Sequence, residues 1–129
     1  MKSFWAVVMA LVSLGLLEPA LAGNPTGTWK STFTLHNQQV ENTFKLRLDS
    51  EGPILTGAYS DDLSNRPAAL QSLALKGEHL TFSVIREASG EKFTVKFNGE
   101  LRGDTITGKA TIDYGDRTQT SDWIARRQR

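Results

Sequence analysis

Apolar and polar residues alternate with a period of two along most of the chain. Trp29, Phe33 and Leu35 alternate with Thr28, Lys30, Thr32 and Thr34, and Val40, Phe44, Leu46 and Leu48 with Glu41, Thr43, Lys45 and Arg47. The same beat returns in Leu80, Phe82 and Val84, in Phe93, Val95 and Phe97, and in Ile106, Ala110 and Ile112. Such a beat gives a β-strand one dry and one wet face. Two further segments, residues 54–60 and 70–75, read as strands whose inward face the pattern leaves open. After residue 22 no stretch carries the i, i+3, i+4 stripe of a helix.

Turn chemistry separates these strands at a steady interval. Gly77, Gly90, Gly103 and Gly115 each sit in a short polar cluster, and Ser50-Glu51-Gly52-Pro53, Ser64-Asn65-Arg66-Pro67 and His36-Asn37-Gln38-Gln39 do the same work upstream. Glycine beside Asn, Asp or Ser supplies the backbone conformations that tight turns need. Seven turns leave eight segments, which predicts an all-β fold: an eight-stranded antiparallel up-and-down (meander) β-barrel. A closed ring leaves no open edge, and short even connections argue against a Greek-key sandwich. Asn98-Gly99 reads as a bulge within one strand, and Gly57 and Gly108 suit the coiling of a closed barrel.

The N-terminus has a different character. Lys2 precedes an apolar run over residues 4–17, and Pro19 and Ala20-Leu21-Ala22 follow it. A basic start, a short apolar run and an Ala-x-Ala exit predict a secretory signal peptide over residues 1–22, cleaved after Ala22. The run is too short to span a bilayer, which takes about 20 residues. One barrel domain then occupies residues 23–129, in the periplasm or outside the cell.

Composition narrows the chemistry. The 129 residues carry a net charge of +1, so no global field draws nucleic acid or, after cleavage, a membrane surface. The absence of cysteine removes disulfides, thiolate metal sites and cysteine nucleophiles together. There is no G-x-S-x-G, no Gly-rich phosphate loop and no H-E-x-x-H. The expectation is a non-enzymatic protein with no catalytic residue, no metal and no cofactor. Asp61-Asp62-Leu63-Ser64-Asn65 gathers oxygen ligands but lacks the glycine and distal glutamate of an EF-hand loop, and reads as a polar loop.

A meander also sorts residues by barrel end. If Trp29 marks the closed end, the open end receives Leu35, His36, Asn42, Tyr59, Gln71, Arg86, Tyr114, Gln119 and Ser121. The closed end receives Leu48, Leu55, Leu75, Leu80, Leu101, Ile106 and Trp123. An apolar floor beneath convergent polar groups is how a barrel holds a small ligand, and a core filled with side chains is the alternative. Arg86 extends the inward series Leu80, Phe82, Val84. It either receives a carboxylate or phosphate or turns out to water at the strand end. His36 and His79 fall at opposite ends, too far apart to share a metal. Arg127 shares the inward parity of Trp123 and is expected to stack on Trp29, with Arg126 as second choice.

Gly27-Thr28-Trp29 at the first strand and Trp123-Ile124-Ala125-Arg126-Arg127 at the last resemble the calycin group of lipocalins, fatty-acid-binding proteins and avidins. The resemblance implies that Trp29 plugs one barrel end and that a basic residue near the C-terminus packs across it. Leu55-Thr56-Gly57-Ala58-Tyr59 is similar to the third-strand T-G-x-Y of avidins, although no tryptophan lies between Trp29 and Trp123 to line a biotin pocket. The resulting expectation is a monomeric exported barrel binding a small, partly apolar ligand through Asn42, Tyr59, Gln71, Arg86, Tyr114, Gln119 and Ser121. The alternative is a protein-interaction module, such as a secreted-protease inhibitor, using the same mouth and the loop over residues 61–69.

Overall fold

The computed structural model describes residues 24–48 and 55–129. The expected signal segment over residues 1–22 and the expected turn over residues 50–53 lie outside the described residues. Nine strands follow in order: β1 (Gly27–Leu35), β2 (Gln38–Leu48), β3 (Leu55–Asp61), β4 (Ser64–Ala69), β5 (Gln71–Lys76), β6 (His79–Ala88), β7 (Glu91–Arg102), β8 (Thr105–Asp113) and β9 (Thr118–Arg127). They form one antiparallel sheet in the order β4-β3-β2-β1-β9-β8-β7-β6-β5, curled into a nearly closed barrel. Among the described residues there is no helix, hence none long and apolar enough to cross a membrane.

The count of nine corrects the expected eight, and the reason lies at one point. The expected fourth strand, a descending one, is broken at Leu70. Its upper half, β4, pairs with β3 from Ser64 beside Asp61 to Ala69 beside Ala58. Its lower half, β5, pairs with β6 from Gln71 beside Ser83 to Lys76 beside His79. The two halves run the same way but hydrogen-bond to opposite neighbours, so the backbone ladder does not cross from β4 to β6 or from β3 to β5. Ser72 turns left-handed at φ 53° just past the break, where the β5–β6 register also slips. The barrel therefore has a seam, and the expected freedom from open edges does not hold.

The Ser64-Asn65-Arg66-Pro67 turn is also corrected, because these residues lie in β4. Proline is tolerated there because β4 is an edge strand, whose outer N–H row has no ladder partner. The hairpin sits instead at Asp62 and Leu63, where the Asp61 carboxylate accepts the Leu63 N–H at 3.0 Å.

Side chains fill the axis. Phe82 stacks on Phe97 at 4.8 Å between ring centroids, and Trp123 lies 4.9 Å from Phe97, 5.8 Å from Phe82 and 5.9 Å from Phe44. Tyr59 and Phe33 each pack on Phe97, and all of these rings are buried. Trp123 thus stands in the middle of the barrel and not at its closed end, four residues along β9 from Arg127, the partner of Trp29. Leu80, Leu101 and Ile106 are fully buried as expected, whereas Leu48 is 36% exposed at the rim.

Gly99 makes room for the central indole, and Gly108 lets β7 and β8 approach closely beside it. Gly99 and Gly108 face each other across β7 and β8, and Trp123 is the next partner of Gly108. A Cβ on Gly99 would meet the Trp123 ring at 2.9 Å; on Gly108 it would overlap the Asn98 carbonyl and lie 2.5 Å from the Gly99 Cα. The register runs unbroken through Asn98 and Gly99, so the expected bulge is absent and the glycine serves packing. Gly108→Ala, which strikes backbone atoms that cannot rotate away, is expected to cost the upper part of the about 1–3 kcal/mol typical of overpacking. Urea unfolding measures it, and a cost near zero refutes this packing.

Candidate functional site

At the closed end Trp29 is fully buried, stacks on Phe44 at 6.2 Å, and donates its indole N–H to the Pro25 carbonyl at 2.9 Å. Arg127 lies over the ring, with Cζ 4.5 Å from the centroid. Its guanidinium does more than stack. Nε donates to Asp104 Oδ1 at 2.8 Å, and Nη2 donates to the Asn24 and Gly103 carbonyls at 3.0 and 2.9 Å. Nη1 donates to the Thr26 carbonyl. One side chain so ties residues 24–26 to the β7–β8 hairpin beneath the tryptophan. Arg126, the second choice, is exposed on the outer face.

Hydrogen bonds from Arg127, and then from Arg129, hold the Asp104 carboxyl below the ordinary carboxylate range. A depressed folded pKa gives stability that is present above the unfolded value and lost as pH falls through the folded one. Asp104→Asn is therefore expected to flatten the acid limb of the stability–pH curve, read by thermal unfolding between neutral and strongly acid pH.

Three of the polar groups expected at the mouth, Arg86, Tyr59 and Asn42, are held by side chains that were not expected there, Asp61 and Ser31. Arg86 is 5% exposed, and its guanidinium grips Asp61 at both oxygens, Nη2 to Oδ1 at 2.5 Å and Nε to Oδ2 at 3.1 Å. Nη1 donates to the Arg66 carbonyl at 3.0 Å. Arg66 belongs to β4 and Arg86 to the upper half of β6, so this side chain bridges the seam where the backbone ladder is missing. Both expectations for Arg86 are corrected: it neither awaits an anion nor turns out to water, because Asp61 already neutralises it. The signal for Asp61 was present, since it continues the inward parity of Gly57 and Tyr59. The Tyr59 hydroxyl donates to Asp61 Oδ2 at 2.8 Å, and burial, with the Asp61 charge adding to it, pushes its pKa well up. Asn42 is buried on β2; its carbonyl accepts the Ser31 hydroxyl, and its Nδ2 lacks a partner among the described residues.

Other expected site residues are dispersed. Gln71 is exposed at mid-height beside Ser83 rather than at the mouth, because the break at Leu70 moves the start of β5 down the barrel. Tyr114 caps the rim. Its hydroxyl lies 3.1 Å from His36 Nε2, its ring packs on Phe93, and Arg117 Cζ sits 4.1 Å above it. Arg117 also pairs with Glu91 at 2.9 Å. His79 begins β6 at the far end from His36. Among the described residues no group of three or more His, Cys, Asp or Glu could hold a metal ion.

Concave surface lies on the flank. The β1–β9 ladder ends at Thr32 and Ile124, and above it the Ser121 hydroxyl accepts the Thr34 N–H at 2.8 Å. A groove of about 520 Å³ follows this parting, lined by Phe33, Gln119 and Ser121 among others. A second, of about 650 Å³, crosses β9, β1, β2 and the top of β3, and meets the first at Thr32 and Ile124. Of the seven expected binding residues, Gln119 and Ser121 border the first groove and Asn42 the second. No protein-family model, curated protein or solved structure matches this chain.

Proposed function

We propose that the protein is an exported, monomeric, non-enzymatic binding barrel that takes a small, partly apolar ligand on the flank formed by β1 and β9. The observation carrying this reading is the filled axis: aromatic rings occupy the interior, and the buried Arg86–Asp61 pair is satisfied without a guest. The flank grooves have volumes within the roughly 300–1,000 Å³ usual for small-molecule sites. Ile124, 43% exposed where they meet, offers the apolar contact. A calycin-like assignment is supported by Trp29 beneath Arg127, and the broken fourth strand departs from the eight-stranded pattern. Export rests on residues 1–22, and N-terminal sequencing of the exported product is expected to begin at Gly23.

The test is native mass spectrometry of protein purified from its own host, beside an Ile124→Asp variant made in the same host. A small molecule held by the parent and lost from the variant is expected. A molecule retained equally by both, or none in either, overturns the flank site.

The rim supports a second reading. Tyr114, His36 and Arg117 form a polar cap suited to a protein partner, as in a protease inhibitor. That reading expects inhibition of secreted proteases that Tyr114→Ala relieves.

A further inference from the structure

The larger flank groove pairs like charge with like. Lys30 on β1 and Arg126 on β9 are direct cross-strand partners, both exposed, both lining the groove, and neither forms an ion pair among the described residues. Like charges opposite one another destabilise a sheet. Glu41 and Asp62, the residues next beyond the Asn42–Asp61 pair, line the opposite end of the same groove and likewise lack ion pairs among the described residues. Elsewhere on the surface opposite charges meet, as in Lys109–Asp122, Lys96–Asp113 and Arg117–Glu91. The groove thus has a cationic end and an anionic end, with Thr32 and Ile124 along its side.

We infer that this groove binds a short zwitterionic peptide of two or three residues, its carboxylate at Lys30 and Arg126 and its ammonium at Glu41 and Asp62. The inference deepens the flank reading above and rests on it. Strands stand about 4.8 Å apart and rise about 3.3 Å per residue, so the two charged ends lie about 12 Å apart at the backbone. Four side chains reaching inward shorten that gap to the span of two or three extended residues. Lys30 and Glu41 are diagonal neighbours across β1 and β2, so a single amino acid reaches at most that inner pair and leaves Arg126 and Asp62 unmet, and a dianion would be repelled by Glu41 and Asp62. An apolar side chain on the peptide would cover Ile124.

The full chain is titrated with Ala-Leu-Ala, with its N-acetyl and C-amide forms, and with phosphocholine, and binding is read by calorimetry and by amide chemical shifts. Ala-Leu-Ala is expected to bind about tenfold or more tightly than either blocked form, each blocked end forfeiting a charge-assisted contact. In Lys30→Gln/Arg126→Gln the C-amide should bind as well as the free acid. In Glu41→Gln/Asp62→Asn the N-acetyl form should match the free amine. These exposed substitutions leave the core untouched, and the dispersion of the amide spectrum checks that each variant is folded. Equal binding of blocked and free peptide, or no binding, overturns the inference. Phosphocholine binding without peptide binding overturns it in favour of a lipid headgroup. If a co-purified molecule depends on Ile124 while Ala-Leu-Ala does not bind, the flank site stands and its zwitterionic chemistry fails.

Discussion

Arg86→Met is expected to destabilise the protein by about 3–5 kcal/mol, the cost of leaving one charge of a buried pair without its partner. The side chains of Arg86 and Asp61 are 4% and 0% exposed, so water cannot replace the lost guanidinium. The bridge to the Arg66 carbonyl disappears with it, and the seam between β4 and β6 loses its polar tie. A companion variant separates charge from packing. Arg86→Met combined with Asp61→Leu removes both charges and, with Tyr59→Phe to remove the hydroxyl that Asp61 accepts, should recover part of the loss, because apolar replacements of a buried pair are often neutral or better. Urea unfolding of the three proteins decides it. A single variant as stable as the parent would refute the role of Arg86 at the seam.

Trp29→Ala should cost about 3–5 kcal/mol, the usual range for truncating a buried aromatic side chain to alanine. Against the roughly 5–15 kcal/mol that typically holds a domain together, that loss brings the barrel near unfolding. Arg127→Ala should cost about 1.5–3 kcal/mol, more than stacking alone would give, since its bonds to Asp104 and to three carbonyls are charge-assisted. Tyr59→Phe is not silent, because the hydroxyl donates to Asp61; a loss of about 1 kcal/mol is expected. Urea midpoints at constant slope order the variants, and Trp29→Ala no worse than Tyr59→Phe would remove Trp29 from the barrel floor.

The strands were legible because burial on one face imposes a period of two, and the inward series Leu80–Phe82–Val84 and Phe93–Val95–Phe97 are buried as that period requires. The calycin resemblance implied a basic residue across Trp29, and the same parity selected Arg127 over Arg126. What the pattern hid was pairing. Ser64–Pro67 has the composition of a turn, and only its place at a sheet edge makes it a strand. The break at Leu70 depends on which neighbour each half of a strand meets, and periodicity carries no information on that. Asp61 was misplaced in a loop although its parity matched Tyr59, so the partner that neutralises Arg86 was missed. The larger flank groove lies mainly on the polar face, which alternation marks only as wet, and the smaller follows the parting of β1 and β9, which alternation does not mark.

The seam and the closed end together give the molecule a second natural reading direction. Arg127 reaches Asn24, so the described ends of the chain are neighbours, while no ladder joins β4 to β5 across Leu70. A circular permutant with its old termini linked and new ones opened at Leu70 would run β5 to β9 and then β1 to β4. Every strand would then pair only with its neighbours in sequence, and the long-range closure of β1 on β9 would become a local hairpin. Such a permutant keeps the sheet but lowers its contact order, and lower contact order speeds folding. In the wild-type chain, by contrast, β1 cannot meet its β9 neighbour until the last strand has been made.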